Sequence, residues 1–188
     1  MVPGEEYFNN ILSRVKSKAP CSVIIENSTI SDKSFTDGFL SVQGESLKQA
    51  SILPVRFDCG LHQDSLSIWK GIAGAIEKAM FDVFEGDELT EDYFSIILET
   101  DDTDDVQSYL IDIIDDIYEN VGWRMMLILE HFDNAVETMP EYDIMKIREM
   151  TETLSIVTIT RVSLEDLCEQ HYQNIYFANQ FLDASFIR

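Results

Sequence analysis

The sequence has few cations and no long apolar run. Only 13 Lys and Arg residues stand against 35 Asp and Glu in 188 residues, which gives a formal net charge of −22. Affinity for a nucleic-acid backbone or an anionic membrane comes largely from cations. We therefore expect no direct nucleic-acid binding and no membrane binding. No apolar stretch reaches the roughly 18 residues that a membrane-spanning helix needs.

Cysteine is also scarce. Cys21, Cys59 and Cys168 are odd in number, far apart and without the spacing of a metal site. This usage is typical of free thiols in a reducing compartment. The N-terminal residues MVPGEEYF contain no basic segment followed by an apolar one, so we expect no secretory signal and a cytoplasmic protein.

The acidic residues are concentrated in one part of the chain. From Asp82 to Glu119 there are 15 acids and no Lys or Arg. We expect a single domain, residues 1–188, with an acidic insertion at about 85–104 between two helices. The face formed by 82–119 is a candidate surface for a protein partner, and basic proteins are one candidate class. A merely solvated surface is the simpler interpretation.

Apolar patterning predicts strands and helices in alternation. The predicted strands are 22–25, 53–60, 124–133, 154–161 and 174–181. The predicted helices are 5–17, 33–48, 65–84, 104–120, 141–154 and 164–170, the last of them capped by Ser163. Asp64 is the expected cap of the third helix, and Asp104 or Asp105 the cap of the fourth. This alternation predicts a three-layer α/β fold, with a mostly parallel five-stranded sheet and helices on both faces.

Polar residues follow the predicted strands. They are 27–34 after the first strand, Asp58 after the second, 130–133 after the third, and Thr160 with Arg161 after the fourth. The carboxyl ends of parallel strands lie at one edge of a sheet, and ligands of such sheets bind beyond that edge. The sequence therefore predicts that these residues converge on one rim.

Two of these segments have the layout of nucleotide-binding motifs. "NSTISDKS", 27–34, places Lys33-Ser34 at the start of a helix after a strand and a polar loop, as a phosphate-binding loop does. "MMLILEHFD", 125–133, is an apolar strand that ends in acids. With "PVRFDC" as a second strand and "LSIVTITR" as a strand bearing a polar sensor, the order of parts resembles the ATPase core of the AAA+ and STAND type. The resemblance covers about residues 2 to 180.

The resemblance implies a set of site residues. The nucleotide-binding candidates are Asn27, Ser31, Asp32, Lys33, Ser34 and Arg161. Ser34, Glu130 and Asp133 would hold Mg²⁺ if a nucleotide binds. Glu130 stands where the family has the Asp that holds the metal, and His131 stands where it has the Glu that activates water. Glu130 and His131 are therefore the catalytic candidates if the chain is an ATPase.

The departures from the family pattern bear on activity. Glycines let the backbone N–H groups of such a loop turn toward phosphates, but Asn27 and Asp32 stand in their places. Asn tolerates a left-handed backbone better than most residues. Asp32 would place a carboxylate beside the phosphates, and one like charge at about 4 Å costs roughly 1–4 kcal/mol. His131 is a poor electrostatic copy of a carboxylate.

We therefore expect that ATP hydrolysis is lost and that no cofactor is bound, with Mg-ATP as the cofactor if nucleotide binding is retained. Without phosphate, Lys33 should pair with Glu130, Asp133 or Asp32. His131 should be partly buried and hydrogen-bonded to a neighbouring loop. In the family a helical lid follows the fifth strand, whereas only "LDASFIR" follows here. We expect the lid to be absent or supplied by another chain.

Three functions stay open. The first is a degenerate AAA+/STAND-like P-loop domain that acts as a protein-interaction or regulatory module. The second is an ATP-binding AAA-type ATPase with atypical Walker motifs. The third is an acidic binding protein that captures a basic or DNA-binding partner.

Overall fold

The computed structural model describes residues 5–17, 22–26, 30–84, 91–150, 153–163, 166 and 185–187. Within these residues the chain forms five strands, seven α-helices, one 3-10 helix at Cys59–Leu61 and one π-helix at Ile117–Val121. The strands are β1 (Ser22–Glu26), β2 (Ile52–Asp58), β3 (Arg124–Glu130), β4 (Ser155–Thr160) and β5 (Ser185–Ile187). The helices are α1 (Glu5–Val15), α2 (Asp32–Gln49), α3 (Ser65–Phe84), α4 (Glu91–Glu99), α5 (Thr103–Asp116), α6 (Phe132–Thr138) and α7 (Glu141–Glu149).

The five strands form one parallel sheet in the order β2-β3-β4-β1-β5. The register places Asp58 of β2 beside Glu130 of β3, and Glu26 of β1 beside Thr160 of β4. Helices pack on both faces, so the three-layer α/β fold predicted from the sequence is confirmed.

Strand β3 lies inside the sheet and packs against a hydrophobic core on each face, which explains its unbroken run of apolar residues. Met125, Leu127 and Leu129 point into the core shared with α3, α5, α6 and α7. Met126 and Ile128 point into the opposite core, which α1 and α2 cover. Alternate residues of a strand face opposite sides, so a strand buried on both faces reads as an unbroken apolar run.

The topology defines where a ligand would bind. From β1 the chain crosses to β2 at one edge of the sheet, and after β4 it reaches β5 on the other side of β1. The order reverses between β1 and β4, and crevices in open α/β sheets form at such a point, beyond the carboxyl ends of the strands. The carboxyl ends of β2, β3, β4 and β1 therefore share one rim.

The structure corrects several local predictions. Asp102, not Asp104 or Asp105, caps α5, because its carboxylate accepts the N–H groups of both those residues at 2.9 and 3.2 Å. The helix α6 directly after β3 was missed. The expected acidic insertion contains α4, whose Phe94 is buried against the core.

The fifth strand lies at Ser185–Ile187, in the segment expected to be a short tail, and the predicted strand 174–181 lies outside the described residues. In the part of the chain that the structure describes, no helix is both long and apolar enough to cross a membrane.

Candidate functional site

The start of α2 is the described part of the loop that resembles a phosphate-binding motif. Ser31 is the N-cap residue, and its hydroxyl oxygen accepts the Ser34 N–H at 3.1 Å. The same hydroxyl donates to the Ser34 hydroxyl at 2.7 Å. A cap of this kind stabilises a helix by about 1 kcal/mol. Asn27 lies outside the described residues.

The Asp32 side chain is held inside the protein. It is fully buried, and one carboxylate oxygen accepts the backbone N–H of His131 at 2.9 Å. The place of Asp32 among the nucleotide-binding candidates stays a prediction. The acid ties the first turn of α2 to the end of β3, since a buried carboxylate needs a hydrogen-bond donor.

Glu130, the last residue of β3, is held by an arginine. Its side chain is 1% exposed. Arg56 Nη2 donates to Glu130 Oε2 at 2.9 Å, and Arg56 Nε lies 2.8 Å from Glu130 Oε1, which is close enough for an ion pair but not aligned for a hydrogen bond. The guanidinium also donates from Nη1 to Asp37 Oδ1, on α2, at 2.8 Å. Arg56 therefore links β2, β3 and α2.

The charge state of Arg56 follows from its neighbours. Burial lowers the pKa of its guanidinium, but the hydrogen bond and the charge of Glu130, together with Asp37, outweigh burial and leave the pKa above its ordinary value. Arginine is already protonated throughout the accessible pH range. Arg56 thus keeps its positive charge beside Glu130.

His131 is the centre of a second network. Its backbone lies in the left-handed region at φ 49° and ψ 46°, which His adopts more often than most residues. Its Nδ1 lies 2.7 Å from Asp58 Oδ1, and its Nε2 lies 3.2 Å from Arg161 Nη2. The end of β3 is therefore joined to the ends of β2 and β4.

Both ring nitrogens of His131 face other side chains of the rim. A carboxylate only accepts hydrogen bonds and a guanidinium only donates them, so Nδ1 is placed to donate to Asp58 and Nε2 to accept from Arg161. Nε2 also lies 3.8 Å from Asp32 Oδ2.

Gly60 packs closely against both Asp58 and His131. A Cβ atom at this position would lie 3.1 Å from Asp58 Oδ1 and 3.1 Å from His131 Cγ. The Gly60 N–H also donates to Asp58 Oδ1 at 2.9 Å. The close approach of the Gly60 backbone thus fixes the Asp58 carboxylate against the imidazole.

Lys33 does not take part in these networks. It is exposed and forms no ion pair with any residue that the structure describes. The expected pairing of Lys33 with Glu130, Asp133 or Asp32 is wrong, because Arg56 already neutralises Glu130 and Asp32 is turned inward. The expected state of His131, partly buried and hydrogen-bonded to a neighbouring element, is the one observed.

A buried thiol lies beneath the rim. Cys59 is fully buried, and its carbonyl oxygen accepts from the Asn134 side chain at 2.7 Å. Burial raises the pKa of the Cys59 thiol well above its ordinary range, and nearby carboxylates add to the rise: Asp58, Asp133 and Glu130. One Asp133 carboxylate oxygen is buried and has no hydrogen-bond partner within the described residues.

Two of the three candidate Mg²⁺ ligands are engaged by other side chains. The metal would need free oxygens, for which Ser34, Glu130 and Asp133 were the candidates, and Asp133 has one buried oxygen without a hydrogen-bond partner among the described residues. Glu130 is buried against Arg56, and the Ser34 hydroxyl is hydrogen-bonded to Ser31. In the described ranges, no three His, Cys, Asp or Glu side chains are grouped as a metal site would require.

Sequence reasoning placed Asp58, Glu130, His131 and Arg161 at one rim, and the structure brings them together. It missed Arg56, Asp37 and Gly60. A lone cation in the apolar strand "ILPVRFD", one strand away from an acid in "RMMLILE", was the signal that could have identified Arg56. No comparable signal identified Asp37 among the many acids of the chain.

Comparison with known proteins supports the fold. No protein-family model and no curated protein matches the sequence. Among solved structures, the chain is similar to the Aeropyrum pernix ORC1 protein in complex with DNA, with a TM-score of 0.62, 13% identity, and coverage of 89% of this chain and 41% of that chain. It is similar to Drosophila ORC bound to DNA, with a TM-score of 0.58, 11% identity, and coverage of 92% and 41%.

A Walker-type ATPase of Pyrococcus abyssi is also similar, with a TM-score of 0.58, 11% identity, and coverage of 90% of this chain and 48% of that chain. The chain spans less than half the length of these three proteins. At these identities the likeness establishes the fold alone, which is a P-loop NTPase-like α/β fold.

The same neighbours correct one expectation. Direct nucleic-acid binding was excluded from the net charge, yet two of these proteins with the same fold are in complexes with DNA. Net charge is a sum over a whole chain, whereas contact with DNA depends on where individual cations lie. The net charge of this chain therefore does not exclude direct nucleic-acid binding, and that prediction is wrong.

Proposed function

We propose that this chain is a degenerate AAA+/STAND-like P-loop domain that acts as a protein-interaction or regulatory module and no longer hydrolyses ATP. The observation that carries the proposal is the buried ion pair between Glu130 and Arg56. In this pair the guanidinium of Arg56 binds Glu130, the residue that aligns with the family's metal-holding Asp.

The first argument is electrostatic. Phosphoryl transfer by this class of domain depends on a metal ion that neutralises the phosphates and on a lysine beside them. To recruit the metal here, Glu130 would have to leave Arg56, and breaking a buried pair costs about 3–5 kcal/mol. Arg56 is 30% exposed, so the cost lies toward the lower end.

The second argument concerns the base. A water-activating group must be free to accept a proton in the substrate complex. Nε2 of His131 lies 3.2 Å from Arg161 Nη2, and Nδ1 lies 2.7 Å from Asp58 Oδ1. The arrangement stabilises the rim and leaves no free base at the aligned position.

Phosphate release tests the proposal. We expect purified protein with Mg-ATP to release phosphate no faster than the buffer blank, and the variants Lys33→Ala and Glu130→Ala to give the same result. A Walker-type ATPase serves as the positive control. Release by the wild-type protein that Lys33→Ala and Glu130→Ala abolish would establish the alternative, an ATPase with atypical motifs.

A second candidate function is participation in a DNA-bound assembly, favoured by the two DNA-bound neighbours. Direct contact can be measured by fluorescence anisotropy of a labelled DNA duplex. Saturable binding that weakens steeply with salt would support direct contact, because cation–phosphate contacts release counterions. An anisotropy that stays at the value of free DNA would restrict the chain to protein contacts.

A further inference from the structure

The end of the sheet opposite the rim, where the strands begin, carries cations from three elements. Arg14 lies in the last turn of α1, and Lys16 follows that helix. Lys48 lies in the last turn of α2, and Arg124 is the first residue of β3. Arg14, Lys16 and Lys48 are exposed, and Arg124 is partly buried. We call these four residues the basic cluster.

Hydrogen bonds join the three elements at this end. Arg124 Nη1 donates to the carbonyl oxygen of Ser17, the residue after Lys16, at 2.7 Å. The backbone N–H of Arg124 donates to the Ser51 carbonyl at 3.0 Å, and the Ser51 N–H donates to the Lys48 carbonyl at 3.0 Å. The ends of both helices are therefore attached to the start of β3, and the fold itself brings the cations to one place.

The basic cluster lacks counter-ions. None of its cations forms an ion pair with a residue that the structure describes. Although 35 of the 188 residues are acidic, the segments that meet here, 7–25, 46–57 and 120–129, contain no Asp or Glu. The acids nearest to the cluster along the chain are Glu45 and Glu119. Exposed charges farther than about 8 Å are largely screened at physiological ionic strength, so the local cations count for more than the net charge.

Stabilisation of helix ends explains only part of the cluster. A cation in the last turn of a helix interacts favourably with the helix dipole, which accounts for Arg14 and Lys48. Lys16 lies beyond the last residue of α1, and Arg124 belongs to a strand. Arginine has five N–H donors, and the described hydrogen bond of the Arg124 guanidinium uses a single one. The ammonium of Lys16 and the other donors of Arg124 are therefore available to a ligand.

We propose that the basic cluster binds the phosphate backbone of a nucleic acid, at the end of the sheet opposite the rim. The inference rests on the second candidate function, direct contact with DNA, and names the surface that makes this contact. Lysine and arginine supply the charge that binds phosphates, and arginine can donate two parallel hydrogen bonds to one phosphate group. Because phosphate contacts carry no sequence information, we expect binding that does not depend on the DNA sequence.

The polar surroundings of the cluster favour a nucleic acid over an acidic protein. Protein interfaces have an apolar centre. Apart from the cations, the exposed residues in the last turns of α1 and α2 are Ser13 and Gln49, and Ser17 is exposed just after α1. Val121 is the one large apolar side chain that is exposed in 120–129. Hydroxyl and amide side chains contact phosphates in protein–DNA complexes, so this surface fits phosphates better than an apolar partner.

Fluorescence anisotropy of a labelled DNA duplex, without ATP or metal, tests the proposal. We expect saturable binding by the wild type at about 50 mM salt, with a slope of log K against log[salt] of about −2 to −4. Lys16→Gln with Lys48→Gln removes two exposed charges of the cluster. This variant should bind about tenfold more weakly, and the magnitude of its slope should fall by about 2. Arg14→Gln is a second, independent variant and should weaken binding about threefold.

Lys78→Gln with Lys146→Gln is the matched control, because it changes the net charge equally on α3 and α7. It should bind within about twofold of the wild type, since those charges are screened from a ligand at the cluster. Circular dichroism should show the wild-type helical signal for both double variants, because Lys16 and Lys48 are exposed. Equal weakening by the two double variants would overturn the proposal, since binding would then follow net charge.

Other results would also contradict it. Polyglutamate that displaces the labelled duplex as well as unlabelled DNA does would identify a site for acidic protein segments. Binding that Lys33→Gln weakens and the cluster variants do not would move the contact to the rim and leave the second candidate function intact. Anisotropy of the wild type at the value of free DNA would overturn both. The phosphate-release test of the proposed loss of hydrolysis is independent of all these outcomes.

Discussion

The backbone N–H of His131 donates a 2.9 Å hydrogen bond to the carboxylate of Asp32, a residue 99 positions earlier in the chain. Asp32 stands where a phosphate-binding loop has glycine, and His131 stands where the resembled family has a water-activating glutamate. The Asp32 carboxylate thus accepts a backbone N–H that any residue except proline would supply at position 131, so this contact depends on Asp32 and not on the imidazole. It ties the first turn of α2 to the end of β3.

Removal of this contact should destabilise the fold. Asp32→Ala leaves the buried His131 N–H without its acceptor, and we expect a loss of about 1–3 kcal/mol in the free energy of unfolding. Asp32→Asn retains one carbonyl oxygen and should lose less. Urea unfolding monitored by circular dichroism gives both values.

Asp101 is a matched control, since its side chain is 95% exposed and lies away from the rim. Asp101→Ala should change the free energy of unfolding by no more than about 0.5 kcal/mol. If Asp32→Ala unfolds at the same urea concentration as Asp101→Ala, Asp32 does not have the structural role assigned to it.

Removing one partner of the ion pair between Arg56 and Glu130 should lower the free energy of unfolding more than replacing both partners by apolar residues. Glu130→Met leaves the guanidinium without its buried partner, and we expect a loss of about 2–4 kcal/mol. Arg56→Met with Glu130→Met removes both charges and should stay within about 1 kcal/mol of the wild type, because paired apolar substitutions avoid an uncompensated charge.

The comparison uses a double-mutant cycle measured by denaturant unfolding. Losses that simply add, with no coupling between positions 56 and 130, would show that the two side chains do not interact strongly in solution.

Cys59 should be inert in the native protein. Burial and the neighbouring carboxylates raise its pKa, so the thiol stays protonated when the pH is raised from 7 to 9, and a protonated, buried thiol reacts slowly. We expect iodoacetamide to modify Cys59 only after unfolding in guanidinium, as peptide mass spectrometry can show. Modification of the native protein at the rate of the unfolded chain would mean that the rim is open.

Local chemistry made much of the fold predictable. The unbroken apolar run of β3 indicated a strand covered on both faces, and the polar ends of successive strands indicated one rim. The short helix α6 was missed because Phe132, Ala135 and Val136 form only one apolar turn after the strand, too short for a helical period to stand out.

Side-chain direction within the site was not predictable in the same way. No pattern in the sequence indicates that Asp32 turns into the protein while Lys33 stays in solvent, because that choice depends on the His131 N–H at the end of β3. Arg56 was overlooked for a related reason: its partners lie 74 and 19 positions away. Such contacts depend on the packing of the whole domain.

The most direct test of the central claim, that this rim is closed by protein side chains, is thermal unfolding of the wild-type protein with increasing Mg-ATP. The account predicts a melting temperature that does not change as Mg-ATP rises into the millimolar range. Tight binding to the native state would instead raise it by several degrees, since ligand at about 100 times its dissociation constant adds about 2.7 kcal/mol. A saturable rise at micromolar Mg-ATP would contradict the account.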